Sequence, residues 1–575
     1  LKVYKIKSVM QAETKNCQNC KKDFTIEPED FSFYEKIKVP PPTWCPGCRL
    51  QRRLSFINFI NLYKRACDRC GKESVSKYPP GAPLVTYCLD CYYSGDWDPI
   101  TFGREYDFSK PFFEQFKELL ARTPIITLDL ELTAAQSSPF TNHAANIKDC
   151  YLVFFALDSE QCMYGFYLHK NRSLLDSSSA MQCERCYDSS NIFKDNGCIG
   201  VRNTNESIDC IFLRDSINCQ NCFASANLRN KKYYIFNKPY SKEEYFKEIQ
   251  RWDLGSYKTY TELRQRAVEH WKQFPPKPYW NDLSVDSTGN YVFESKNCKE
   301  CYEVVKTEDS KYVMMTIGNP TKDCYDITGW GDNLTNSYEA YIGSNVTNAR
   351  FYFESNIGDL QGGEYGILSG GRNLFGCVSI MNGEYYILNK RYSKEEFEVL
   401  RNKIVVHMNE MPYVDKNGCV YRYGEFFPIE ISWLSYNETL AQTFFPLTKE
   451  QAIARGYRWH DTISAKHEPT ILAKDMPDHI KDAHEDILKE KIGCSTCVRV
   501  YRIIPDELQF LKSMNLPLPR RCPTCRLEER IANWAKNLTL VTRSCSECKQ
   551  QFRTRYTTEE APRILCKECY IREVV

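Results

Sequence analysis

The chain has 575 residues, too many for one hydrophobic core, and its 42% hydrophobic and 14% aromatic content excludes a disordered polypeptide. A net charge of only +2 argues against tight nucleic-acid binding by bulk electrostatics, and no run of eighteen apolar residues is present to cross a membrane. Sixteen of the 29 cysteines form eight CxxC pairs confined to the two ends, a layout suited to metal in a reducing compartment, so a cytoplasmic protein is predicted.

The opening, LKVYKIKSVMQAETKNC, shows no apolar core followed by a small-residue cleavage site. Cys17, Cys20, Cys45 and Cys48 then make a first four-thiol unit, predicted as a zinc ribbon over 1–60. Cys67, Cys70, Cys88 and Cys91 make a second over 61–100. CxxC on a tight turn aims two sulfurs at one point, and a second pair some twenty residues on closes a tetrahedron. Four Cys with no fifth ligand suit a closed structural zinc site, with redox dithiols and an iron–sulfur cluster as the alternatives.

A helical cap and linker is predicted for 101–142, where Ser109 caps a helix with Phe112, Phe116, Leu119 and Leu120 on one face. Next comes a twelve-residue period. Its second column holds Cys150, Cys162, Leu174, Cys186, Cys198, Cys210, Cys222 and Tyr234. Its eleventh holds Ser159, Asn171, Cys183, Asp195, Ser207 and Cys219, of which the Ser, Asn and Asp are residue types that favour turns. A stacked β-solenoid explains such a period, either as one twelve-residue coil or as a coil of twenty-four with two equivalent faces. The central Cys are read as small buried hydrophobes. Cys183/Cys186 and Cys219/Cys222 lie three blocks apart, about 14 Å at roughly 4.8 Å per rung, too far to share one zinc.

This first solenoid is assigned to 143–250 and ends in YYIFNKPYSKEE; the phrase returns as YYILNKRYSKEE, so a second, looser solenoid is assigned to 287–400. Ser241 with Glu244 and Ser393 with Glu396 are capping boxes that start helices. A helical linker, 251–286, joins the copies. Residues 401–463 form a small α+β module, with Thr448 and Gln451 as a capping box and Gly456 as a stop, and 464–493 a charged, solvated helical linker. Two more zinc ribbons close the chain: 494–535 with Cys494, Cys497, Cys522 and Cys525, and 536–575 with Cys545, Cys548, Cys566 and Cys569. The fold class predicted is therefore mainly β, a duplicated β-solenoid flanked by paired four-cysteine zinc ribbons with short capping helices.

The stretch CQNCKKDFTIEPEDFSFYEKIKVPPPTWCPGCRLQRR, echoed by CSTCVRVYRIIPDELQFLKSMNLPLPRRCPTCRLEER, resembles the small zinc-ribbon domain of bacteria. The whole chain resembles a multidomain family of candidate-phyla bacteria with terminal zinc ribbons around a Cys-rich repeat core, carrying the phrases DWDP, YSKEE and FFPLTKEQA.

Catalytic motifs are missing: no GxGxxG after a strand, no P-loop, no HExxH and no GxSxG. The glycines from Gly362 to Gly371 are read as solenoid corners, and the eight His as structural. Asp326, Asp332, Glu339 and Glu354 could share a face of the second solenoid, as in β-helix polysaccharide enzymes, with solvated edges as the alternative. The ends are basic (+5 over 1–100, +6 over 494–575) and the middle carries −9. Arg49, Arg52 and Arg53 follow one ribbon's last Cys; Arg520, Arg521, Arg526 and Arg530 bracket its counterpart, and Arg543, Arg553 and Arg555 belong to the last ribbon. Arginine forks match phosphate, and the alternative is that they balance thiolates and nearby acids. The reading is a non-enzymatic cytoplasmic scaffold holding four zinc ions, whose ribbons contact nucleic acid or a ribonucleoprotein, with no membrane association. A β-solenoid carbohydrate-active enzyme and a self-assembling protein with ribbon-mediated homo-oligomer contacts are the competing readings.

Overall fold

A left-handed backbone residue at every third position builds the central part of this chain. From His143 to Phe236 positive-φ residues recur at this spacing, beginning 143, 146, 149 and 152 and ending 227, 230, 233 and 236. Such a residue bends an extended strand, so three residues make one short side and four sides close one turn of twelve. The computed structural model describes residues 11–58, 60–130, 135–329, 331–341, 343, 345–354, 359–461 and 468–574. It divides into two compact units, one comprising Leu1–Thr127 and Trp280–His460, the other Leu128–Tyr279 and Asp461–Val575. The boundaries thus fall in or beside the segments read as linkers. Each unit combines one solenoid with one pair of ribbons.

In the second unit, eight parallel strands from Ala135–Gln136 to Arg214–Ile217 stack in chain order. The register is exact at twelve: Phe154, Phe166, Ser178, Ser190, Arg202 and Arg214 are successive partners. A second ladder runs through Tyr151, Met163, Leu175, Tyr187, Ile199, Ile211, Phe223 and Ile235. The coil is therefore twelve residues, not twenty-four. The residue after a left-handed one points inward, giving four internal columns rather than the single inward Cys column that the sequence suggests. Left-handed geometry costs an L-residue roughly 1–2 kcal/mol and is cheapest for Asn, Asp and Gly. These occupy many such positions, including Asp149, Asp176, Asp188, Asn191, Gly197, Asn203, Asn218 and Asn230.

The column expected to make corners is buried instead. Ser159 accepts from the N–H of Asn171, the Asn171 side-chain carbonyl from Cys183 N–H, and Asp195 from Ser207 N–H, at 3.3, 2.9 and 2.8 Å. Small polar side chains here satisfy the amide of the inward residue one turn on. The Cys column packs as expected: Cys150, Cys162, Cys186, Cys198, Cys210 and Cys222 are all buried thiols. Burial pushes the Cys198 and Cys210 thiols up, so they stay neutral.

The second solenoid, in the first unit, repeats the construction with irregular turns. Tyr302 pairs with Met314, Lys311 with Tyr325, Tyr325 with Tyr338, and Leu360 with Gly371, so turns range from 11 to 14 residues. Gly362 has φ +72 and is a left-handed corner, but a Cβ at Gly366 would stand 2.1 Å from the Tyr352 ring. The Gly-rich stretch therefore also makes room for an aromatic core residue.

Capping helices follow both copies as predicted, at Lys242–Ile249 and Lys394–Glu410, each with its Ser–Glu capping box closed. Two local expectations fail. The helix Phe112–Arg122 is capped by Pro111, while Ser109 bonds Asp107; its Phe112 ring lies 5.1 Å from Tyr365 and 5.4 Å from Phe375 of the second solenoid. The stretch after Pro477 forms short 3-10 turns with Ile480, Ala483 and Ile487 buried, not a solvated helix. Before Pro477, Ile471–Leu472 pairs with Ile492–Gly493 beside the third ribbon.

Asp195 sits inside the first solenoid, and burial raises its carboxyl from 3.8 to about 7 against hydrogen bonds from Thr204 and Ser207. The folded state thus holds the proton more tightly than the unfolded chain. This contribution is complete below about pH 4 and lost as pH rises through about 7. Between about pH 5.5 and 8 the loss amounts to about 2 kcal/mol. Urea melts of this chain and of Asp195→Asn across that range test it: the substitution should flatten the decline.

Candidate metal centres and their arginine clasps

Each of the four predicted quartets comes together. In Cys17/Cys20/Cys45/Cys48, Cys67/Cys70/Cys88/Cys91, Cys494/Cys497/Cys522/Cys525 and Cys545/Cys548/Cys566/Cys569, the sulfurs all lie within 4.8 Å of one another. Local folding explains it. The first pair of each quartet sits in a turn next to a short strand, and the second pair opens a helix, as at Pro46–Leu54 and Pro523–Asn537. A tetrahedral ion with Zn–S near 2.3 Å needs sulfurs about 3.8 Å apart. Cys20–Cys45, Cys70–Cys88, Cys497–Cys522 and Cys548–Cys566 are separated by 3.7, 3.9, 3.8 and 3.7 Å.

Backbone amides prepare the sulfurs for this charge. The N–H groups of Cys45, Cys88, Cys522 and Cys566 donate to Cys17, Cys67, Cys494 and Cys545 at 3.2–3.3 Å, the same bond four times. Burial opposes ionisation, yet these and neighbouring amides bring Cys67 down to about 7 and Cys494 and Cys545 to about 6. The donor set fits a closed tetrathiolate centre. Among the described residues, none of the solenoid cysteines joins one of these clusters.

The arginines expected to face a partner are turned inward. Arg49, Arg52 and Arg53 are at most 2% exposed. Arg49 meets Asp326 at 2.8 Å; Arg52 meets Glu339 at 2.7 Å and Glu425 at 2.9 Å; Arg53 reaches Asp326 at 3.3 Å. The second unit repeats the device. Arg526 pairs with Asp176 and, at 2.8 Å, with Glu507, while Arg530 holds Asp176 at 3.2 Å and Asp188 at 3.6 Å. Both first arginines lie over a tyrosine one turn away, Arg49 over Tyr312 at 5.5 Å and Arg526 over Tyr164 at 4.5 Å. Burial raises the Glu339 and Glu507 carboxyls, whereas at Asp188 it is outweighed by Arg264, Arg202 and Arg530, which lower it to about 2.

Most of the other predicted contacts are also internal. Arg520 donates to the carbonyls of Met476 and Pro477 and stacks over Tyr257; Arg521 bonds Glu529; Arg543 donates to the carbonyls of Tyr556 and Ala561. Arg555 lies over Tyr556 at 4.1 Å, and Arg553 is exposed on the last hairpin. The surface role assigned to Arg49, Arg52, Arg53, Arg520, Arg526 and Arg530 is corrected accordingly. The carboxylates weighed for catalysis are likewise spoken for: Asp326 and Glu339 hold arginines, Glu354 holds Lys77 at 3.0 Å, and of the four only Asp332 is exposed. Asp326, Glu339 and Glu354 are buried, so solvated edges are not their setting either. His467 lies outside the described residues; Tyr106 bonds His407 and Asp253 bonds His479, both structural contacts.

No protein-family model matches this chain, and no curated protein matches its sequence. The resemblance of the ribbons rests on the quoted motifs.

Truncating one member of a buried charge pair strands the other and costs about 3–5 kcal/mol. Arg526→Met should therefore destabilise the second unit by that order, read as a lowered thermal midpoint. Arg526→Met combined with Asp176→Leu should recover part of the loss.

Proposed function

We propose that the chain is a non-catalytic scaffold in which four Zn2+ ions, one per Cys quartet, hold ribbons whose arginines clamp onto a solenoid. The observation that carries this reading is the coupling of metal ligand to clasp: Arg49 and Arg526 each follow the last Cys of a quartet directly. A metal bound there would fix the start of the helix, and the helix would aim the guanidiniums. Four thiolates with no open position supply structure rather than a reactive water. The carboxylates that a glycosidase-like site needs are engaged in ion pairs.

Zinc is favoured over an iron–sulfur cluster because four equivalent closed tetrahedra need no inorganic sulfide. Reduced thiols throughout fit the cytoplasm. No described helix is long and apolar enough to cross a membrane. Binding of nucleic acid or a ribonucleoprotein through the ribbons loses its main support with the buried arginines and is not the leading reading.

Elemental analysis of the purified chain should find about four zinc per molecule and no iron, in a colourless solution. Cys497→Ser should lower the count by one, and a strong chelator should release all four together with loss of the ribbon fold. A brown protein containing iron, or full solenoid and ribbon stability without metal, would refute the proposal.

A further inference from the structure

The two units are internal copies, and one shows what the other lacks. Cys67 and Cys70 correspond to Cys545 and Cys548, so Lys77 and Tyr78 correspond to Arg555 and Tyr556. The geometry agrees: Tyr78 N–H donates to Ser76 and Tyr556 N–H to Thr554. Cys45 corresponds to Cys522, which places Phe56 opposite Asn533. On the solenoids, Glu339 and Asp188 both receive the ribbon helix, so Tyr341 and its partner Phe353 correspond to Ser190 and its partner Arg202.

In the first unit this corner is filled from within. Trp433, carried by the module after the second solenoid, stands 5.8 Å from Phe56, 6.0 Å from Tyr78 and 6.1 Å from Phe353. The same module brings Glu425 to Arg52 and lays the Glu438 carbonyl on Asn61. In the second unit the three counterparts, Asn533, Tyr556 and Arg202, line an open groove of about 860 Å3 instead. Two of the three have changed from aromatic to polar or charged. Seven Lys and Arg against four Asp and Glu line the groove. Arg264, Lys272 and Lys536 there, paired with Asp188, Glu269 and Glu560, still keep 45%, 48% and 54% of their side chains exposed. Three guanidiniums, those of Arg202, Arg264 and Arg530, converge on the single carboxylate of Asp188 at 3.2–3.6 Å.

We propose that this groove is the partner site of the scaffold, and that its occupant is an acidic polypeptide segment whose aromatic side chain enters the space, beside Asn533 and Arg202, that Trp433 fills in the first unit. The first unit supplies the precedent for a polypeptide plug, and the excess of cations supplies the complementarity for acids. A nucleic acid would need exposed aromatic faces for stacking, whereas Tyr556, Trp271 and Trp534 are all buried.

The proposal extends the scaffold reading and is separable from it. A zinc-loaded chain that fails to bind overturns this inference alone. The probe is a fluorescent peptide copying Glu425–Glu438, which carries Trp433 and three glutamates without a basic residue. It should bind the intact zinc-loaded chain in a saturable manner that weakens with salt. Lys272→Glu with Lys536→Glu should weaken binding by about tenfold or more at an unchanged thermal midpoint, and Asn533→Trp, which fills the groove, should abolish it. No binding at any accessible concentration, indifference to these substitutions, or tighter capture of an oligothymidylate displaced from the groove by the same changes would overturn the proposal.

Discussion

The buried pairing of ribbon arginine with solenoid carboxylate is the contact on which each unit depends. Neither partner is stable there alone: a guanidinium or a carboxylate taken from water costs several kcal/mol unless its charge and hydrogen bonds are met. Arg52 is 0% exposed and lies between Glu339 and Glu425; Arg526 lies between Asp176 and Glu507. Their positions are set in turn by the quartet immediately upstream. The Cys quartet, the helix start and the docking of ribbon on solenoid are therefore one chain of cause in each unit, carried by a single helix.

The solenoids supply the other half of that contact. A backbone that turns left-handed every third residue places a side chain at each corner, and corners stack at the rung spacing. Tyr164, Asp176 and Asp188 are three successive residues of one such corner, and Tyr312, Asp326 and Glu339 are their counterparts in the looser copy. The corner delivers a ring, then an acid, then another acid; the first arginine of each ribbon helix meets the ring and the first acid, and a later one reaches the second acid.

Much of this was legible in the residues and some was not. The CxxC pairs, the twelve-residue period and the Ser–Glu capping boxes are local patterns, and each predicted its element. The three-residue period within the twelve was also present, as Asn and Asp recurring at Asp149, Asp158, Asp176, Asp188, Asn191 and Asn203, but apolar columns dominate the eye and these residues read as turns. Ser109 misled for a similar reason, because a competing carboxylate, Asp107, takes its hydroxyl. What no local pattern contains is the destination of Arg49 or Arg526. Their acids stand 277 and 350 residues away, and a basic cluster on the sequence looks the same whether it faces water or another part of its own chain.

Because the ribbon helix engages three consecutive turns at once, it acts as a gauge of the coil. Turns of 11 or 14 residues are accommodated in the second solenoid, yet the corners that meet the arginines keep their order in both copies. Between the corners that meet the arginines the second solenoid spends 14 and then 13 residues where the first spends 12, and each acid still faces a guanidinium. Variation in turn length is thereby carried on the sides of the coil between corners, and the lengths of the two copies become free to diverge while their docking grammar does not.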